Sequence, residues 1–450
     1  MNITGFLASL SEWLWGWPMI IMLLGTHIYL TIILRFPQRK IFKAIRLSIS
    51  RDSAAKGDIS QFGALATALA ATIGTGNIVG VAIAVSLGGP GAVFWCWICG
   101  VFGMATKYGE GLLAVKYRVR SDDGRMLGGP MYALERGLGM KWLGIVFALL
   151  TAVASFGIGC SVQSNAIALL LEHHYGINPW LAGCVIATLA GAVIIGGVKS
   201  IARACSTLVP FMAALYIMGC IGILAVNADF VWPAIKLICQ SAFSPQSAGS
   251  GFLGATVMTA ARFGIARGLF SNESGLGSAP IIAAAAQTKN PVRQALVSST
   301  GTFWDTVVIC ALTGVALVST ILSDPGISAS EGATLTHAAF SKIPVIGPHI
   351  LSLGIVTFAL STILGWSYYG ERAMEYIGGK RSTQIYRIAY IVFVVIGAGA
   401  NLAIVWNLAD CMNALMAIPN LISLILLSGV LVRETRRYLW EGSLEDEVSD

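Results

Sequence analysis

The 450-residue chain is 56% hydrophobic and 11% charged, with a mean hydropathy of +0.76, against a charged share of about 25% in soluble domains. This balance excludes a soluble globular enzyme and indicates an all-α polytopic membrane protein. The net charge of +7 does not describe a nucleic-acid surface, because the basic residues are sorted by loop.

Allowing about 20 apolar residues per crossing, the sequence predicts eleven transmembrane helices. They lie at 13–35, 61–86, 91–115, 142–170, 180–197, 205–226, 251–286, 294–322, 347–370, 384–399 and 403–432. The opening stretch MNITGFLASLSEW carries Glu12 and no basic residue, so it is not expected to be a cleaved signal peptide, and the first helix is retained. The second span is interrupted by IGTGNIVG at 73–80, and the seventh by GIARGLFSNESGLG at 264–277. A helix unwound inside the bilayer exposes backbone N–H and C=O groups that lipid cannot satisfy, so each break must face protein or a water-filled cavity. Two such breaks at corresponding positions mark a transport site.

With these spans, 25 of the 29 basic residues lie on one side, on alternate loops or in the span segments that lead into them, beginning with Arg35, Arg39, Lys40, Lys43, Arg46, Arg51 and Lys56 at and after the end of the first helix. The positive-inside rule then sets the N-terminus outside and the C-terminus in the cytoplasm. Without residues 1–60, which hold the first helix and a basic loop, ten spans remain, and the broken ones are the first and sixth. The division is five-plus-five, with units 61–245 and 246–432 and a tail 433–450. Because five is odd, the units form an inverted repeat.

The connection 227–250 reads as an external interfacial helix plus loop, and 323–345 as a second external segment with a short amphipathic lid helix. The acidic end EGSLEDEVSD reads as disordered. Nine scattered cysteines lie mostly in apolar runs, and the Cys96/Cys99 pair in FWCWIC reads as a packed helix face.

The strings ATIGTGNIVGVA (71–82), GGPMY (128–132), GLFSNESGLGSAP (268–280) and LGW (364–366) resemble the alanine or glycine:cation symporters, the sodium:alanine symporter family. The resemblance spans nearly the whole chain. It implies a LeuT-type fold, in which a five-plus-five inverted repeat is preceded by one extra helix, and sodium-coupled import of alanine or glycine by alternating access.

A zwitterion in a low-dielectric interior needs a partner for each charge. The half-helix N-terminus after the first break suits the carboxylate, so Thr75, Gly76 and Asn77 are the candidates there. Small residues in membrane helices also serve close packing, but two breaks in register with a repeat favour the site. Gln163 is polar in an apolar helix, and the resemblance implies that it lines the pocket. The resemblance likewise implies Phe270 and Trp366 as side walls that leave room for hydrogen or methyl. For sodium it implies the carbonyls of Ala70 and Ile73 with the hydroxyls of Ser361 and Thr362, an all-oxygen set suited to a hard cation.

Charges inside the spans need partners or water. Arg262 or Arg267 is expected to pair with Glu273 as an inner gate. Asp305 is a candidate proton site, and Asp410 is a further intramembrane carboxylate. Glu110 beside Lys107 reads as an interfacial pair. Proton-coupled transport of small amino acids is the alternative function, disfavoured because neither break proper holds a carboxylate or histidine. An intramembrane enzyme is disfavoured because His27, His173, His174, His337 and His349 join no ligand motif. The expected setting is a bacterial or archaeal plasma membrane, with lipid, a small amino acid and Na⁺ as partners, no nucleic acid and no organic cofactor. The sequence carries no signal for oligomeric state.

Overall fold

A computed structural model describes residues 3–50, 55–244, 256–324, 326–327, 332–400 and 403–447. The chain is almost wholly helical. Helices α1 (Ile3–Leu14) and α2 (Trp17–Ile33) precede a short basic helix α3 (Ile41–Ser48). The first break then separates α4 (Gln61–Thr72) from α5 (Val81–Gly88), with a wide π-helical turn at Gly76–Gly80, and the two arms are bent by 54°. Next come α6 (Gly91–Lys116), α7 (Lys141–Ala154), a second wide turn Ser155–Ser161, α8 (Val162–Tyr175), α9 (Pro179–Ile194) and α10 (Gly197–Val226).

An amphipathic helix α11 (Ala228–Ser241) follows, where an interfacial helix was expected. After it come α12 (Val257–Asn272), α13 (Pro291–Thr302), a third wide turn Phe303–Cys310 and α14 (Ala311–Ser323). Helix α15 (Gly332–Ser341) occupies the expected lid segment and buries Leu335, Ala339 and Phe340. The long α16 (Ile346–Gly399) is two helices joined at Gly379, where φ is 70°. Helices α17 (Ala403–Leu426) and α18 (Ser428–Thr435) and a wide turn Arg436–Trp440 complete the bundle.

Among the described residues, six helices are long and apolar enough to cross a membrane, and the bent α4/α5 pair makes a seventh. The chain is a multi-pass membrane protein. The remaining expected spans include Pro179–Ile194, which is apolar but shorter, so the count of eleven stays an expectation.

Two readings change. The second break is not at 264: α12 runs unbroken through Asn272, and chain leaves helical geometry only at Glu273 (φ 53°). Gly264 and Gly268 serve close packing instead, since a Cβ on Gly264 would strike the Ala92 carbonyl and one on Gly268 would stand 3.1 Å from the Cys96 carbonyl oxygen, both on α6. The residues that require glycine are Gly275 and Gly277, at φ 89° and 86°. Between Gly277 and α13 only Pro280–Ala283 is helical, so the part of the expected seventh span after the break is a single turn.

The tail reading also changes for 441–447. Asn290 Nδ2 donates to the carbonyls of Leu444 (2.8 Å) and Asp446 (3.0 Å), and Glu445 meets Arg293 at 2.6 Å. Leu444 is buried. Residues 448–450 lie outside the described residues. Beside this docked tail, the chain after the second break returns to the base of α4, where Gln287 N donates to Ile59 O (2.8 Å) and Arg118 holds the Ala284 and Ala286 carbonyls (3.1 and 2.8 Å).

Candidate functional site

The first break forms because Ile73 turns to extended geometry after Thr72, ending α4, and the chain resumes helical geometry only from Thr75 and Gly76. The freed Gly74 N–H is not left bare: it donates to Asn77 Oδ1 at 2.9 Å. The Asn77 carboxamide then donates to Asp305 Oδ1 at 2.7 Å. Asp305 sits in the wide turn after α13 and is fully buried. Its other oxygen accepts from Ser271 Oγ (3.0 Å), two residues before the second break, and from Thr306 Oγ1 (2.6 Å). Three donors on one buried carboxylate offset the cost of a charge at this depth. One side chain therefore ties the two interruptions together.

The four expected cation ligands come from two elements, α4 with its break and α16. Ser361 Oγ lies 3.1 Å from Ala70 O. A Cβ on Gly74 would stand 3.0 Å from Thr362 Oγ1. Both hydroxyls also donate to Phe358 O, at 2.8 and 2.9 Å, the back-bonding usual for Ser and Thr in helices. Carbonyl and hydroxyl oxygens thus gather where α4 ends, next to Ile73, a donor set that fits a monovalent hard cation.

The expected substrate residues lie on different elements around the two breaks. Phe270 packs toward the first break, its ring 3.7 Å from where a Cβ on Gly76 would sit, and meets Trp15 edge-on at 5.7 Å between centroids. Its other side closes a cavity of about 230 Å³ that also touches Glu12, Arg262, Arg267 and Asp410. Trp366, by contrast, is fully buried, with Gly159 of the second wide turn flat against its Cβ and Nε1 donating to Glu273 Oε1 at 3.1 Å. Gln163 is buried on the helix that follows this turn. Its Nε2 donates to Ile158 O (3.1 Å), while Oε1 has no hydrogen-bond partner, which leaves one acceptor for an ammonium group. Thr75 and Gly76 are half-buried beside the break.

The expected pairing of an arginine with Glu273 does not occur. The Glu273 carboxylate is occupied by Trp366 and by Ser278 Oγ at 2.5 Å. Arg262 reaches Glu12 at 3.4 Å, and Arg267 faces Asp410 across the same cavity. Both arginines line the cavity between the C-terminal end of α1, α12 and α17, whereas Glu273 bonds to Trp366 and Ser278.

Sequence reasoning missed the support of the second break. Glu110 and Lys107 are not interfacial but buried. Glu110 Oε1 accepts from Gly275 N and Gly277 N, both at 3.0 Å, and from Asn420 Nδ2 at 2.6 Å, while Lys107 Nζ lies 3.9 Å from Oε2. The first-span residue His27 joins them, its Nδ1 sharing a proton with Thr106 Oγ1 (2.8 Å) and its Nε2 set 3.4 Å from where a Cβ on Gly103 would stand, beside Ser274. The available signal was three ionisable residues in apolar surroundings. On the opposite side of the breaks, a crevice of about 10 Å³ lies between α4, α6 and α13, reached by Lys107 and Gln294, the size of one water molecule.

The profile of the sodium:alanine symporter family matches residues 1–448. A Methanococcus maripaludis protein named sodium/alanine symporter AgcS is 50% identical over 97% of this chain and 98% of its own. A Bacillus subtilis protein named as a probable sodium/glutamine symporter, GlnT, is 38% identical over 95% of this chain and 89% of its own. Among solved structures, MhsT in complex with L-phenylalanine superposes with a TM-score of 0.54 at 14% identity, covering 84% of this chain and 98% of that one. A manganese transporter from Eremococcus coleocola gives 0.54 at 15% identity, covering 86% and 85%. These likenesses establish a LeuT-type fold.

Proposed function

The chain belongs to the sodium:alanine symporter family, and from that premise we propose that it imports alanine or glycine with Na⁺ by alternating access. It is a secondary transporter and not an enzyme. The observation that carries the reading is the joining of the two breaks through Asn77, Asp305 and Ser271 next to the oxygens of Ala70 and Ser361. In this reading Na⁺ takes Ala70, Ile73, Ser361 and Thr362, the substrate carboxylate takes the backbone at Thr75–Asn77, and the ammonium takes Gln163 Oε1. Phe270 and Trp366 limit the side chain.

The 230 Å³ cavity is then the external vestibule, with the Arg262–Glu12 and Arg267–Asp410 pairs across it, and the single-water crevice is the closed cytoplasmic path. This orientation agrees with a basic cytoplasmic side, an external N-terminus and a prokaryotic plasma membrane. The inverted repeat at 61–245 and 246–432 supplies the two moving halves. Sodium binding orders the first break and raises substrate affinity, and by linkage the substrate raises sodium affinity by the same factor.

Counterflow of radiolabelled alanine in proteoliposomes tests the proposal. Exchange that saturates, requires Na⁺ and fails in choline supports it. Equal exchange in choline with a pH gradient would replace it with proton coupling, and flux without saturation would replace it with a channel.

A further inference from the structure

Where α2 ends and α18 begins, the surface opens into a groove of about 740 Å³ on the side of the basic loops. Its walls come from two helices that are distant in sequence but pinned by a Tyr29 Oη to Ser428 Oγ hydrogen bond of 3.2 Å. Arg433, Arg436 and Arg437 line one side, and Glu441 is the one acid among the lining residues. Arg436 uses that acid, with Nε 2.8 Å from Glu441 Oε1. Arg437 stacks on Tyr438 at 5.1 Å, and among the described residues neither Arg433 nor Arg437 has a carboxylate partner. The groove thus carries two uncompensated guanidinium groups.

Apolar residues flank this cluster: Ile33 and Val432 line the groove, and Ile32, Ile425 and Leu426 lie within three residues of its lining along the chain. Ile32 on α2 is 59% exposed, and Ile425 and Leu426 at the end of α17 are 46% and 55% exposed. Apolar side chains exposed at the end of membrane-spanning helices suit contact with acyl chains rather than water. An occupant must therefore be anionic at one end and apolar beyond it. A second copy of the chain would bring arginine against arginine, and a soluble anion would leave these apolar residues unused.

We propose that this groove is a binding site for an anionic phospholipid, its phosphate held by Arg433 and Arg437 and its chains laid along Ile32, Ile425 and Leu426. Guanidinium groups match phosphate oxygens in fork geometry, and basic pockets between membrane helices on the cytoplasmic side suit such headgroups. The site differs from general positive-inside charge in having a shape, a defined pair of arginines and a neighbouring apolar track.

The test uses full-length protein in phosphatidylcholine vesicles with spin-labelled phosphatidylglycerol or phosphatidylcholine as the reporting lipid. The expected result is preferential immobilisation of phosphatidylglycerol, reduced roughly five-fold or more by Arg433→Gln with Arg437→Gln. The double variant Lys43→Gln with Arg46→Gln removes the same charge from α3 and should retain the preference. Alanine uptake in phosphatidylcholine vesicles verifies that both doubles fold. No preference in the unmodified protein would overturn the proposal. Equal loss in the two doubles would also overturn it, leaving diffuse charge as the cause. Displacement of the labelled lipid by inorganic phosphate at constant ionic strength would overturn it in favour of a free-anion pocket.

Discussion

Replacing Glu110 offers a graded cut at the support of the second break. Glu110→Gln keeps the shape and one acceptor oxygen while removing the charge, and Glu110→Ala removes the acceptor. Three donors converge on Oε1: Gly275 N, Gly277 N and Asn420 Nδ2. Hydrogen bonds to a charged acceptor contribute about 1.5–3 kcal/mol against about 0.5–1.5 for neutral ones, so Glu110→Gln is expected to cost about 1 kcal/mol per bond and about 3 in total. Stranding three buried donors in Glu110→Ala costs on the order of 5 kcal/mol. Either change also leaves the Lys107 ammonium buried without its counter-charge, so Lys107→Met combined with Glu110→Gln should recover about 1–3 kcal/mol relative to the sum of the single effects. Unfolding of the purified proteins in detergent, followed by tryptophan fluorescence, gives the stabilities. Sodium-driven alanine uptake per folded molecule gives function, which should fall further than stability because two of the three donors belong to the break itself. A wild-type melting profile for Glu110→Ala, or strict additivity of the Lys107 and Glu110 changes, would refute the reasoning.

Ser361→Ala and Thr362→Ala should each raise the sodium concentration for half-maximal alanine uptake about tenfold, the loss of one ligand oxygen being worth about 1–2 kcal/mol, with maximal uptake at saturating sodium retained; titration of uptake against Na⁺ checks this. Asp305→Asn should bring the factor by which sodium raises alanine affinity close to one, measured by calorimetric alanine titration with and without Na⁺. Arg267→Gln and Asp410→Asn should each slow uptake several-fold, since each leaves a half-buried charge facing the cavity without its counter-charge, and exchanging the two residues should recover part of the rate. Failure of the exchange to recover any would show that their mutual attraction is not what matters.

The first break was legible because IGTGN interrupts an apolar helix with residues that have no other use there, and the structure bends the chain at that point. The second was misplaced by several residues because Gly264 and Gly268 have the same composition but pack against α6. Sequence cannot separate a glycine that admits a neighbour from one that turns the chain. The gate pairing failed on geometry: Arg267 and Glu273 are six positions apart, about 120° around a helix of 100° per residue, and Arg262 is eleven positions away, about 16 Å along the axis. Glu110 was misread because its spacing from Lys107 reveals only the partner on its own helix. The amides of Gly275 and Gly277 are about 165 positions distant and could be found only by folding. Of the expected cation ligands, the structure sets Ser361 Oγ against the Ala70 carbonyl and Thr362 Oγ1 beside Gly74, a pairing of α4 with α16 that no spacing along the chain encodes.

The Asn77–Asp305–Ser271 chain makes the two interruptions mechanically one part, like a rivet through two plates. Movement of the peptide at Gly74 pulls on the Asn77 amide, and the pull reaches α12 through a carboxylate rather than through cargo. If sodium settles near Ala70 as proposed, it alters the opposite plate with no amino acid present, and readiness to load becomes a property of the empty carrier's own skeleton.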